Sequence, residues 1–478
     1  MKKKLLIPIV ALLAIYGCDL VDGTGIENPN LPVDQAVNLP NAAEPWVNGL
    51  NEQMASVYQQ FLTTAELSTD NYTNVQTFFN QNVDNGVYRD IDDDFDDAEL
   101  EISTLREQAL FGLSRILAND TDAAGTGLEA EMHFFKGLAF LLAGDLITAY
   151  PDSALRSAVT PQVNYQNAVE AFTDALSVDN ASEVAISYRV MLARAHYSLG
   201  NQAEAVAAAQ DAIAADGDDN YVRFVQFDGV NGPASDFQDA VYDRGNFDDL
   251  QPLPRLDFLD PKYAVDGSDE SPVPLAKIEE AYLIIAEAQL ADGNLPGAQQ
   301  TMQEIVDIVD NRSTRDFDET AEGRQNPKLQ STNPLFQRPN NSSFIVRASS
   351  TDPFRSGLVL DRTAATTVPT ISGTSITTAD INGLANDDEA LETIYLMRQE
   401  IFFGEGRRMV DLGIKWPVVE VEALNNSNIT AADRQATVPA YLPGGSEMDA
   451  FTIDGNEVTI TENVNRIIAQ ERGNKFGN

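Results

Sequence analysis

Two stretches of the chain, 182–215 and 277–310, carry one helix–turn–helix pattern, and that pattern restricts the fold more than any other feature. In the first, Leu192, Ala193, His196, Ala205, Ala212 and Ile213 fall on the packed positions, with Gly200-Asn201 at the turn. In the second, Ile285, Ala286, Ala298, Ile305 and Val306 take those places, with Gly293-Asn294 at the turn. Alanine at the crossing points lets two helices approach closely. Pro296 sits in the first turn of its helix, where a missing amide hydrogen is tolerated. Such a unit cannot bury its apolar face alone, so units must stack on one another.

The spacing within each unit fits the tetratricopeptide period of about 34 residues. A third unit is split: 129–144 supplies a first helix with Gly137 at the small position, and 165–176 supplies the second with Ala168, Phe172 and Ala175. Between them, 145–162 reads as an insertion containing Pro151 and Pro161. A fourth pair combines 43–67 with 98–117. The fold expected is mainly α, a tetratricopeptide-like helical-repeat scaffold with long irregular insertions forming a ligand-binding face. Three stretches, 66–97, 217–276 and 311–386, lack sustained helical periodicity. Loops of that length are functional or disordered. The second holds Phe224, Phe227, Tyr242, Phe247 and Phe258 and the third Phe336, Phe344 and Phe354, which argues for order.

The N-terminus reads as an export signal. Lys2, Lys3 and Lys4 precede an apolar run that ends at Tyr16, followed by Gly17-Cys18. That run is too short for a membrane span, which needs about 20 apolar residues. Ile15-Tyr16-Gly17-Cys18 looks like a lipobox, so Cys18 is expected to be lipidated. It is the only cysteine, which excludes disulfides within the chain and cysteine metal clusters. The expected organisation is a signal peptide over 1–17, a lipid-anchored tether over 18–40 and a single body over 41–478.

Charge narrows the partners. With 74 acidic and 31 basic side chains, the formal charge is −43. Such a surface repels phosphate backbones and anionic lipid headgroups, so nucleic acid is excluded and membrane contact is expected through the N-terminal lipid alone. An apolar content of 43% is ample for a large core.

Residues 397–416 pack charge around Gly404 and Gly406 after an apolar helical stripe of Ile394, Met397, Ile401 and Phe402. A glycine inside a helix costs about 1 kcal/mol relative to alanine, so the pair marks close packing or a local break. Read locally, Arg407 pairs with Asp411 and Glu405 with Arg408 across one turn, a structural element rather than a reactive one. The segment also resembles the C-terminal signature of the SusD/RagB-like lipoproteins, outer-membrane nutrient-binding proteins. Arg398, Glu400, Glu405, Arg407, Arg408, Asp411 and Trp416 carry that likeness, with Ile401, Gly406 and Leu412 between them. Glu129-Ala130-Glu131 with Phe134 and Phe135 resembles the family's first helix, and residues 281–288 its central one. The chain departs from the family pattern over 450–478.

Enzyme motifs do not appear. His133 and His196 are the only histidines, both on repeat helices, and there is no Gly-x-Ser-x-Gly elbow, phosphate-cradling loop or His-Glu-x-x-His helix. The acidic run at 92–97 lacks the glycine and terminal glutamate of a calcium loop, the latter position being Ser103. The expectation is a non-enzyme with no cofactor and no metal. The loop after the first helix gathers Asp70, Asn71 and Tyr72 with Phe78, Phe79 and Tyr88. Sugars bind by stacking an apolar face on a ring while short polar groups take the hydroxyls, so these six are the expected substrate-binding residues.

The resemblance implies a cell-surface lipoprotein of the outer membrane that captures an oligomeric nutrient, glycan before peptide, and delivers it to a SusC-like TonB-dependent transporter. The competing reading is a helical-repeat scaffold lipoprotein for outer-membrane assembly.

Overall fold

The computed structural model describes residues 37, 39, 41–75, 80–243, 249–263, 270–318 and 338–477. Among them, eight long helices form four antiparallel pairs: α1 (Ala43–Leu67) with α2 (Asp93–Phe111), α3 (Gly127–Leu146) with α4 (Pro161–Val178), α5 (Ala185–Leu199) with α6 (Gln202–Asp216), and α7 (Glu279–Ala291) with α8 (Leu295–Asp310). These are the helix pairs that the repeats predict, the split one included. Small residues make the crossings possible. A Cβ on Gly137 would lie 2.6 Å from the Phe172 ring, and Ala168, Ala193, Ala205 and Ala298 are wholly buried. The Asn294 side chain accepts from Gly297 N and so caps α8 at its first turn. In α2 the acidic run does similar work, since Asp93, Asp94 and Asp96 sit at the positive end of the helix.

The three stretches without helical period are ordered where described, and short strands tie the first to the second and the third to the C-terminal region. β1 (Tyr72–Asn74) in the first pairs antiparallel with β5 (Leu250–Pro252) in the second. In the insertion between α3 and α4, β2 (Tyr150–Pro151) pairs with β3 (Ala158–Val159), and within the second stretch β4 (Val222–Val225) pairs with β6 (Val273–Lys277). In the third, β7 (Thr314–Phe317) pairs with β9 (Thr366–Pro369). The C-terminal region forms a hairpin, β10 (Phe451–Asp454) and β11 (Glu457–Ile460), and β11 runs parallel to β8 (Ile345–Arg347). After a short helix α9 (Thr378–Asn382), the long α10 (Asp387–Ile401) packs against α7 and against the last helix, α12 (Val464–Glu471). One hydrophobic cluster runs from Val37 to Ala469. No described helix is long and apolar enough to cross a membrane.

The charged segment after α10 corrects the local pairing expected for it. The helix stops at Ile401, the chain turns through Gly404 (φ +71°) and Gly406 (φ +70°), and a five-residue helix, α11 (Arg408–Leu412), follows. Both glycines are needed: a Cβ on Gly404 would lie 2.7 Å from Tyr263, and one on Gly406 would lie 2.6 Å from Phe61. Because the helix breaks, neighbours in sequence face different elements. Asp411 binds Arg398 (2.8 Å), Arg407 binds Glu280 (2.9 Å), Arg408 binds Asp70 (2.7 Å), and Glu405 holds Lys277 (2.7 Å) together with Lys262. Glu280 also receives Arg194 from α5 at 2.5 Å. Glu400 accepts from Thr374 and Ser375, and the buried Trp416 indole donates to Ser68 Oγ (3.1 Å) beside the Phe95 ring. The segment is a buried ionic hub that ties helices distant in sequence to one another.

Candidate functional site

Three of the residues expected to touch ligand are interior. Asp70, Asn71 and Tyr72 are 2%, 0% and 1% exposed. Arg408 donates twice to the Asp70 carboxylate, from Nε at 2.7 Å and Nη2 at 2.9 Å, and Gln399 adds a third bond at 2.9 Å. Asn71 donates to Glu66 (2.7 Å) and accepts from Gln399 (3.1 Å). Tyr72 stacks on Phe403 with ring centroids 4.8 Å apart and meets Phe237 edge-on. These side chains clamp the loop onto the ionic hub and offer no surface. Tyr88 is half-buried, its hydroxyl donating to Ser68 O (3.3 Å). Phe78 and Phe79 lie outside the described residues, as do Cys18 and most of the tether.

The same loop nevertheless forms one wall of a cleft of about 660 Å³. Thr73 and Asn74 of β1 and Asp84 and Asn85 of the turn behind it face Asp449 and Phe451 from the C-terminal hairpin region, with Arg338 between. The walls meet where Gly445 crosses the loop, so closely that a Cβ there would sit 2.2 Å from the Asn85 carbonyl carbon. Only glycine fits that crossing. The Arg338 guanidinium lies 4.9 Å from the Phe451 ring centroid and donates to Pro252 O (3.4 Å). Phe451 is half-buried and lines the cleft.

The carboxyls of this cleft are unusual. Asp84 accepts from Asn74 N (3.1 Å), and Thr73 Oγ1 hydrogen-bonds Asp449. Burial, with the Asp449 charge behind it, pushes Asp84 up to about 7. Burial likewise pushes Asp449 up to about 6, against the pull of Thr73 and Arg338. Near neutral pH Asp84 is therefore partly protonated while Asp449 is mostly ionised, so the cleft offers both a donor and acceptors. A flat ring face beside short polar groups of both kinds suits a polyhydroxylated ring. His133 and His196 stay on the repeat helices and line no part of this cleft.

Arg338, Asp449 and Phe451 were not among the residues expected from sequence. The hairpin did leave a signal: in 451–460, apolar and polar residues alternate on both sides of Asp454-Gly455-Asn456, a strong turn sequence. Nothing local in the sequence points that hairpin at the loop after α1.

No family model matches the sequence, and no curated protein matches it. Solved structures do. A SusD superfamily protein from Bacteroides fragilis aligns over 82% of this chain and 99% of its own, with TM-score 0.53 and 16% identity. A putative sugar binding protein from Bacteroides vulgatus aligns over 85% and 100%, with TM-score 0.54 and 12% identity. A SusD superfamily protein from Bacteroides thetaiotaomicron aligns over 82% and 98%, with TM-score 0.51 and 12% identity. The chain therefore has the SusD fold, a helical-repeat scaffold carrying long excursions. At these identities the likeness is one of fold.

Proposed function

We propose that this protein captures an oligosaccharide at the cleft between the loop after α1 and the C-terminal hairpin, and passes it to a SusC-like TonB-dependent transporter. The observation carrying this reading is the convergence of Phe451, Arg338 and the carboxyls of Asp84 and Asp449 on one opening. The SusD fold and the sugar-binding description of a structural neighbour support the choice of ligand. The lipobox at Cys18 supports anchoring at the outer membrane, where the tether would let the body meet a transporter while the lipid holds it to the surface. The stacked helix pairs, which expose broad faces, supply a surface for that partner.

Calorimetric titration of the soluble body against neutral oligosaccharides and peptides tests the assignment. Phe451→Ala is expected to weaken oligosaccharide binding roughly five- to thirty-fold, the loss of about 1–2 kcal/mol for one stacking ring. A ligand whose affinity ignores both Phe451→Ala and Arg338→Ala binds elsewhere, and selective binding of peptides would replace glycan as the cargo.

A further inference from the structure

The cleft between the loop after α1 and the C-terminal hairpin is short of positive charge. Its described lining holds two carboxyls, Asp84 and Asp449, and one guanidinium, Arg338. The carboxyls stand near enough for the Asp449 charge to act on Asp84. Asp84 is half-buried and Asp449 is 8% exposed. A carboxylate has room for about four hydrogen bonds, yet among the described residues each receives one from a neighbour, Asp84 from Asn74 N (3.1 Å) and Asp449 from Thr73. No ion pair among the described residues reaches either carboxyl. Arg338 pulls on both through space, while its own guanidinium donates to Pro252 O and lies beside the Phe451 ring. Asp70 adds to the negative field at Asp449 from behind, and its own charge is taken up by Arg408. A buried carboxylate without a cation is costly, and here two of them border an opening. Phe451 and Ile453, two apart on β10, share one face of the strand and set an apolar surface beside them.

We propose that this cleft takes an amino sugar, its protonated amine seated between Asp84 and Asp449 and its ring against Phe451 and Ile453. The inference rests on the oligosaccharide reading above and deepens it: the cargo carries free amines. An ammonium group brings three donors and one positive charge, which meets both the spare acceptors and the excess of two carboxyls over one guanidinium. A hydroxyl would bring one donor and no charge, and a sugar acid would add a third carboxylate. A hard metal ion such as calcium takes about six to eight oxygen ligands, and no group of three or more His, Cys, Asp or Glu side chains among the described residues could hold one. The formal charge of −43 draws cations toward the opening. In the empty cleft a proton does part of the same work, since burial pushes Asp84 up to about 7 and Asp449 up to about 6. An ammonium bound there takes the place of that proton and releases it.

The test is calorimetry at mildly acidic pH, where a sugar amine carries its proton. It compares β-1,4-linked glucosamine oligomers with N-acetylglucosamine and glucose oligomers of the same length and linkage. The wild-type protein is expected to bind the amine form at least tenfold more tightly than the other two, and to release protons as it does so, seen as a dependence of the binding heat on the buffer. Asp449→Asn and Asp84→Asn, which keep the side-chain shape and remove the charge, are each expected to cut that preference at least tenfold. The wild-type comparison decides the matter even if one variant fails to fold. Equal wild-type affinity for the three oligomers overturns the proposal. A preference that survives both substitutions comes from the overall charge of the chain and also overturns it. Lysine oligopeptides that bind through the two carboxyls more tightly than glucosamine oligomers would overturn the sugar class, and calcium chloride that raises the melting temperature through them, with no amine preference, would make this a metal site instead. If neutral oligosaccharides bind in a Phe451-dependent way without any amine preference, this inference fails and glycan capture stands. Absence of binding by any saccharide removes both.

Discussion

Arg408 and Asp70, 338 positions apart in the chain, meet in a buried two-pronged ion pair at 2.7 and 2.9 Å. The pair fastens the loop after the first helix to the turn that follows α10. It changes what Asp70 is for: a residue whose neighbours suggest a sugar contact instead closes the interior around the ionic hub.

Asp70→Ala therefore leaves the Arg408 guanidinium buried with only Asn465 as a partner (2.9 Å). Breaking one side of a buried pair costs about 3–5 kcal/mol. Chemical denaturation is expected to show a loss of that order, while oligosaccharide affinity of the folded fraction stays within a few fold. A normal unfolding curve combined with lost binding would return Asp70 to the ligand site.

Stability is expected to rise as pH falls from 8 toward 5. Glu66 is raised from 4.5 to about 7 by burial, Asp84 from 3.8 to about 7, and Asp449 and Asp94 from 3.8 to about 6. Between each unfolded value and its folded one, the folded state binds more protons, so raising the pH through that window favours unfolding. Relief of the −43 charge acts in the same direction. As pH falls toward and below the ordinary values of 4.5 and 3.8 the sign reverses, because the unfolded chain protonates Glu280 and Asp411 while the fold holds them ionised, through Arg194 with Arg407 and through Arg398, against their burial. Melting temperatures from pH 4 to 8 give the test, and Glu66→Gln should flatten the slope between pH 5 and 7.

Gly445→Ala should damage the first cleft more than the fold. The added methyl group has no room against the Asn85–Gly86 backbone, so the loop after α1 and the hairpin must separate. Because the helix pairs do not depend on that crossing, unfolding should shift by only about 1–2 kcal/mol. Oligosaccharide affinity is expected to fall at least fivefold. Unchanged affinity would move the ligand away from this opening.

Cys18→Ser is expected to release the protein from the membrane fraction with its melting curve intact, since the tether lies ahead of the helical core. Continued fractionation with membranes would count against lipid anchoring.

What the sequence determined by itself is the scaffold. Repeated alanines and glycines at fixed intervals, with Gly-Asn turns, specify helix pairs because helical contacts are local and their periodicity is written in adjacent residues. The break after α10 was legible for the same reason, since Gly404 and Gly406 mark backbone that no other residue fits. Charge partners were not legible. Asp411 chose Arg398 over Arg407, and Glu405 chose Lys277 and Lys262 over Arg408, because a buried ion pair forms between whichever groups the packed helices bring together. The cleft follows that rule too: Phe451 and Asp84 line one opening only through packing between segments far apart in the chain. Strand pairing joins residues by register across long loops, and no local pattern in a sequence records which partner a strand will find.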